Sequence, residues 1–160
     1  MTRMQNNKFN PIIYFFVCLI VMIMFDFIST SSILHNIYLS TENYRFFEFV
    51  YVQNTGAAFS SFQHSTVFLS VISILAIIGI MYELFKDINK YSIPMYFCSA
   101  MLTAGIFCNT YERIVLGYVR DFISLKFIEF PVFNISDILI NASVFAIMLL
   151  IITKKYKKYA

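Results

Sequence analysis

A carboxylate inside an apolar run costs about 3 kcal/mol on insertion scales, so such a residue marks a functional position by default. The chain carries nine acids. Glu42, Glu48 and Glu129 lie in polar or mixed segments, and Glu83 and Asp87 close an apolar run. Asp26, Glu112, Asp121 and Asp137 remain, all in or beside apolar stretches. Asp121 follows one such stretch and Asp137 opens the next, so the chain leaves the apolar phase and returns between them. Two carboxyls brought together in this way cannot both ionise readily. One is pushed up, the pair shares a proton, and the pair can activate water while polarising a carbonyl. The spacing alone leaves a second reading open. In that reading Asp137 caps a helix beside Ser136, and Asp121 pairs with Arg113 or Arg120.

The elements that would position these residues are set by composition. The chain is 59% hydrophobic and 13% charged, with a mean hydropathy of +0.72. A water-soluble domain of 160 residues has too little interior to hide that much apolar surface. Four apolar stretches are read as membrane-spanning helices, at about 12–33, 66–85, 93–111 and 137–153. The third is interrupted by Gly105, Asn109 and Glu112, so its outer end is expected to face protein or water. The first exceeds a signal-peptide core in length and lacks a small-residue cleavage site, so it is read as retained. The expected fold is an all-α membrane protein of one polytopic domain, residues 1–160, with four transmembrane helices and a small extracytoplasmic β element. The apolar FEFVYVQNTGAAF segment supplies that β element, lying on the membrane surface.

Charge gives orientation. Of the 12 Lys and Arg residues, eight (Arg3, Lys8, Lys86, Lys90, Lys154, Lys155, Lys157 and Lys158) fall on the side of the termini. Arg45, Arg113, Arg120 and Lys126 fall on the other. Both termini are therefore expected in the cytoplasm, with the Asp121/Asp137 pair near the outer face. The bases form no stripe with interleaved aromatics, so nucleic acid is not an expected partner. Cys18, Cys98 and Cys108 have no metal-like spacing, and His35 and His64 no ligand pattern. Neither a metal nor a cofactor is expected.

The motifs around these acids resemble lipoprotein signal peptidase, or signal peptidase II, from about Asp26 to Asn141. They are Asn54-Thr55-Gly56-Ala57-Ala58-Phe59, then Asn109 with Glu112-Arg113, then Gly117-Tyr118-Val119-Arg120-Asp121-Phe122, then Phe130-Pro131-Val132-Phe133-Asn134-Ile135-Ser136-Asp137. The resemblance implies a four-helix aspartyl endopeptidase of the bacterial inner membrane that cuts diacylglyceryl-modified prolipoproteins before the lipidated cysteine. Membrane lipids would be its other partners. Asp121 and Asp137 match the catalytic pair. Asn54, Gly56, Asn109, Arg113, Asn134 and Asp26 match residues that position substrate or support the pair. The chain departs from the family pattern at Thr30, where Lys is usual, at Cys108, where Gly is usual, and at Glu112, where Asp is usual. The alternatives are a diverged non-catalytic relative that holds lipoprotein signal peptides, and a proton- or ion-conducting bundle using Asp26, Asp121 and Asp137. The outer-loop motifs favour the enzyme.

Overall fold

The computed structural model describes residues 10–39, 44–56 and 65–157. Glu42, Ala57, Ala58, Phe59 and His64 lie outside them, as do Arg3, Lys8 and Lys158. The order of elements is α1 (Pro11–Leu39), β1 (Phe47–Asn54), α2 (Thr66–Lys86), α3 (Ile93–Leu116), β2 (Val119–Leu125) and α4 (Ile135–Ile152). All four helices are long and apolar enough to cross a membrane. Three of the four helices outrun their apolar stretches by two residues or more at one end. α1 continues to Leu39, α3 continues to Leu116, and α4 starts at Ile135. Backbone hydrogen bonding does not stop where the apolar run stops. The 29 residues of α1 span about 43 Å, more than the roughly 30 Å of a hydrocarbon core.

Local signals start and stop these helices. Asn10 accepts the Ile12 N–H at 2.9 Å ahead of Pro11, whose ring supplies a pre-set φ at the first helical position. α3 ends at Gly117, which takes a left-handed φ of 83° and returns its N–H to the Arg113 carbonyl at 3.1 Å. A residue with a Cβ is strained in that conformation, and the turn is what sends the chain directly into β2.

α3 is the central helix and packs against each of the other three. It is also the least apolar, with a mean hydropathy of 1.2 against 2.3 to 2.6 for the others. Burial accounts for this: 56% of its spanning stretch is inside the protein, against 11% for each neighbour. Its interior face carries Ser99, Ala100, Thr103, Ala104, Gly105 and Cys108, small residues that let helices approach where lipid offers no hydrophobic drive to association. The closest approach is at Gly105, where an added Cβ would lie 2.6 Å from the Ser136 carbonyl oxygen and 2.8 Å from Ile140. At the other end of the molecule, Phe15, Leu84, Tyr91, Tyr96 and Ala100 form an apolar core.

β1 and β2 pair antiparallel at the end of the bundle where α3 stops and α4 starts. The first eight residues of the apolar segment noted in the sequence, Phe47–Asn54, are thus half of a two-stranded sheet, with Tyr44, Phe47 and Phe49 in mutual ring contact. The register slips by one residue between Phe49 and Val52, so that Val52 faces Asp121 and Asn54 faces Val119. A one-residue slip exchanges the faces of a strand. The bulge therefore puts the Asn54 side chain on the face that carries Asp121.

Candidate active site

Asp121 lies inside β2 and is 2% exposed. Beyond β2 the chain doubles back. Phe133 bridges Ile123, donating to its carbonyl at 3.1 Å and accepting its N–H at 2.8 Å. That bridge delivers Asn134, the N-cap of α4, to the side of Asp121. Asp137 is the third residue of α4 and closes a capping box. The Asn134 side chain accepts the Asp137 N–H at 2.9 Å, and the Asp137 carboxylate accepts the Asn134 N–H at 3.3 Å. The cap and the carboxyl pair are therefore the same structure rather than alternatives, with Asn134 as the cap itself.

A directed chain of amides joins the two carboxyls. Asn134 Nδ2 donates to Asp121 Oδ1 at 2.8 Å and to Asn109 Oδ1 at 3.1 Å. Asn109 Nδ2 donates to Asp137 Oδ1 at 2.9 Å. From the opposite side, Asn54 Nδ2 donates to Asp121 Oδ2 at 2.8 Å. The direction follows from chemistry. A backbone N–H can only donate, and the Gly56 N–H points at Asn54 Oδ1 (2.9 Å) while the Asp137 N–H points at Asn134 Oδ1. Each amide must then turn its NH2 toward a carboxylate. Asn54 is thus a turn residue and a carboxylate donor at once.

Arg113, one turn beyond Asn109 on α3, donates Nη2 to the Gly56 carbonyl at 3.0 Å and ties the Asn54–Gly56 turn to the helix. Its Nε is buried without a hydrogen-bond partner among the described residues. The pairing of Asp121 with Arg113 or Arg120 that the spacing left open is not found among the hydrogen bonds of Asp121. Arg120 belongs to Glu112, which accepts its Nε at 2.8 Å, its Nη2 at 2.6 Å and its backbone N–H at 2.7 Å. Side chains alternate along a strand, so Arg120 and Asp121 point to opposite faces. The Glu112–Arg120 clasp fixes the α3–β2 corner and hence where β2 begins. The longer Glu112 does not disturb the fold here, because it spans to a backbone N–H and a guanidinium together.

Asp26 does not join this network. It is 4% exposed and accepts the Ser136 hydroxyl at 2.7 Å, linking α1 to the first turn of α4 beside Asp137. Thr30 and Cys108 are buried. Ser136 and the Glu112–Arg120 pairing were not legible as site elements from the motifs. Only the adjacency of Ser136 to Asp137, and of Arg120 to Asp121, hinted at either.

The Asp121 carboxyl is pushed up to about 7, mainly by burial and further by the charge of Asp137. The donors Asn54 and Asn134 and the charge of Arg113 act against that rise. One of two neighbouring carboxyls is thereby able to hold a proton near neutral pH while the amide chain keeps both in register. Such a pair can take a proton from water and give one to a carbonyl oxygen.

Residues 18–153 match the family described as signal peptidase (SPase) II. A lipoprotein signal peptidase of Microcystis aeruginosa is 39% identical over 105 residues, which cover 64% of this chain and 66% of that protein. One from Caldicellulosiruptor bescii is 39% identical over 103 residues, covering 64% and 65%. The chain thus spans about two thirds of the length of these curated relatives. Among solved structures, a bacterial membrane enzyme determined in meso at 2.3 Å resolution superposes with a TM-score of 0.78 at 25% identity, over 92% of this chain and 94% of that one.

Proposed function

Since this chain belongs to the signal peptidase II family, we propose that it is an aspartyl endopeptidase of the bacterial inner membrane that removes the signal peptide from diacylglyceryl-modified prolipoproteins. Cleavage falls before the lipidated cysteine. The multi-pass protein has both termini in the cytoplasm, in keeping with its basic residues, and its sheet end on the outer face. The observation that carries the reading is the amide chain from Asp121 through Asn134 and Asn109 to Asp137.

In this reading the pair shares one proton; the more buried Asp121 starts with it, and the more exposed Asp137 is the base. Asp137 takes a proton as the water oxygen bonds to the scissile carbon, and Asp121 protonates the carbonyl oxygen. Asp137 then passes its proton to the nitrogen as the C–N bond breaks. Asp121 recovers a proton from one hydroxyl of the intermediate, and the pair returns to its starting state. Asn54, Asn109 and Asn134 hold the carboxyls. Arg113 supports the pair through Gly56 and through its charge, and Asp26 supports Asp137 through Ser136.

The test is incubation of the purified protein with a diacylglyceryl-modified prolipoprotein and with its unmodified precursor. A shortened product from the modified substrate alone is expected. Retention of that substrate without shortening would instead make the chain a signal-peptide-binding protein.

A further inference from the structure

At the end of the bundle away from the sheet, α2 and α4 do not close against each other over α3. A cavity of about 410 Å³ opens between them, lined by Gly79, Ile80 and Leu84 of α2, Met95 and Leu102 of α3 and Ile147 of α4, with Glu83 and Tyr91 also on its wall. An added Cβ at Gly79 would meet nothing within 4 Å, so the groove is open where α2 is narrowest.

Its surroundings at that end are built and basic. Glu83 accepts the Tyr91 hydroxyl at 2.6 Å and pairs with Lys90. The segment after α4 folds over the α2–α3 turn. The Ser92 N–H reaches the Tyr156 carbonyl, the Ser92 hydroxyl reaches the Lys155 carbonyl, both at 2.8 Å, and Tyr91 bridges Lys157. This clasp uses the backbones of Lys155 and Lys157; both side chains are exposed, the Lys157 ammonium lying 5.6 Å from the centre of the Tyr156 ring. Residues 82–92 and 153–157 together carry five lysines and two acids.

We propose that this groove binds an anionic phospholipid of the leaflet on that side, one acyl chain lying along Gly79 and the phosphate meeting the lysines. Charge favours such a lipid over a signal-peptide helix. The basic leading region of a signal peptide would be repelled where an anionic headgroup is attracted. The site is separate from Asp121 and Asp137, and its binding can be read without substrate.

The experiment is native mass spectrometry of the delipidated full chain, titrated with phosphatidylglycerol and with phosphatidylcholine of the same acyl chains. Phosphatidylglycerol should be retained at concentrations about tenfold lower, since a surface lysine contributes roughly fivefold. The double variant Lys155→Gln/Lys157→Gln should lose that preference while still retaining both lipids. Gly79→Leu, which fills open space, should weaken retention of both. Equal retention of the two lipids by the wild type overturns the proposal, as does unchanged retention in Gly79→Leu. A signal-peptide analogue that displaces phosphatidylglycerol from the wild type would give the groove to substrate and overturn it too.

Discussion

Two glycines separate the two ends of this molecule. A methyl group on Gly105 would sit 2.6 Å from the backbone oxygen of Ser136, whereas one on Gly79 would touch nothing within 4 Å. Both glycines belong to apolar helices, but Gly105 follows the small residues Thr103 and Ala104, whereas Gly79 lies among isoleucines. Near Gly105, α3 and α4 are pressed together and the next turns of α3 carry Asn109, Glu112 and Arg113, engaged with α4, with β2 and with the turn after β1 respectively. Near Gly79, α2 stands away from α4 and the walls of the gap are mostly apolar. Close packing is kept where two carboxyls must hold a fixed relation, and it is relaxed where lipid can fill the space.

The largest effect expected is at the carboxyls. Asp121→Asn and Asp137→Asn should each lower cleavage by about 10³-fold or more, because an amide can neither take up nor share the proton. Either way round, the new NH2 at position 121 faces an NH2 that Gly56 or Asp137 has fixed in place, Asn54 on one side and Asn134 on the other. That mismatch costs about 1–3 kcal/mol, so thermal unfolding and binding of lipid-modified substrate should be measured alongside turnover. A folded, substrate-binding Asn variant that still cleaves at near the wild-type rate would remove the proposed mechanism.

The glycines themselves come next. Gly105→Ala overpacks the α3–α4 contact, at a cost of about 1–3 kcal/mol. Its obstacle is a backbone carbonyl, which cannot rotate away. The displaced first turn of α4 carries Asp137, and cleavage should fall by up to about 10²-fold. Gly79→Ala should leave cleavage unchanged and raise the thermal midpoint slightly, since Ala favours a helix by up to about 1 kcal/mol where nothing clashes. Equal responses at the two positions would dissolve the contrast between the ends.

A smaller loss is expected at the turn. Asn54→Ala removes one donor from Asp121 and the acceptor of the Gly56 N–H, and cleavage should drop about tenfold, in line with roughly 1–1.5 kcal/mol for one hydrogen bond. Gly at position 54 would do as well as Asn if the residue served only the turn, so matched activity of Asn54→Gly and wild type would remove it from the site.

A last effect concerns pH. Asp121 is raised from 3.8 to about 7 in the folded protein, so the native state holds more protons than the unfolded chain between those values. Its contribution to stability is complete below the lower value and is lost as pH rises through the upper one. The thermal midpoint of the wild type, taken relative to Asp121→Asn, should therefore fall between about pH 4 and pH 8. A gap that stays constant across this window would mean that Asp121 is not raised.

Much of this was readable beforehand for a physical reason. Apolar length is a local quantity, and a span must be about 20 residues whatever it packs against. That made the four helices visible, and the interrupted third stretch announced a helix facing protein. The outer-loop motifs singled out Asp121, Asp137, Asn54, Asn109, Arg113 and Asn134, all of which the fold brings to one end of the bundle. Helix ends were less legible because hydrogen bonding carried α1, α3 and α4 past their apolar runs. The partner of Arg120 stayed open in the sequence, because only the strand decides that Arg120 and Asp121 point to opposite sides.

By itself, then, the amino-acid order determined four helices long and apolar enough to span a membrane, and its motifs pointed to the two carboxyls that the amide chain joins. The tertiary structure alone decided which strand Asn54 would share with Asp121, that Ser136 would satisfy Asp26, that Glu112 would claim Arg120, and that α2 would stand away from α4. Those outcomes depend on a one-residue bulge, on the closeness permitted by Gly105 and on which backbone N–H faces which amide oxygen. Each joins residues far apart in the chain, and the direction of a hydrogen bond is settled only when both partners are in place.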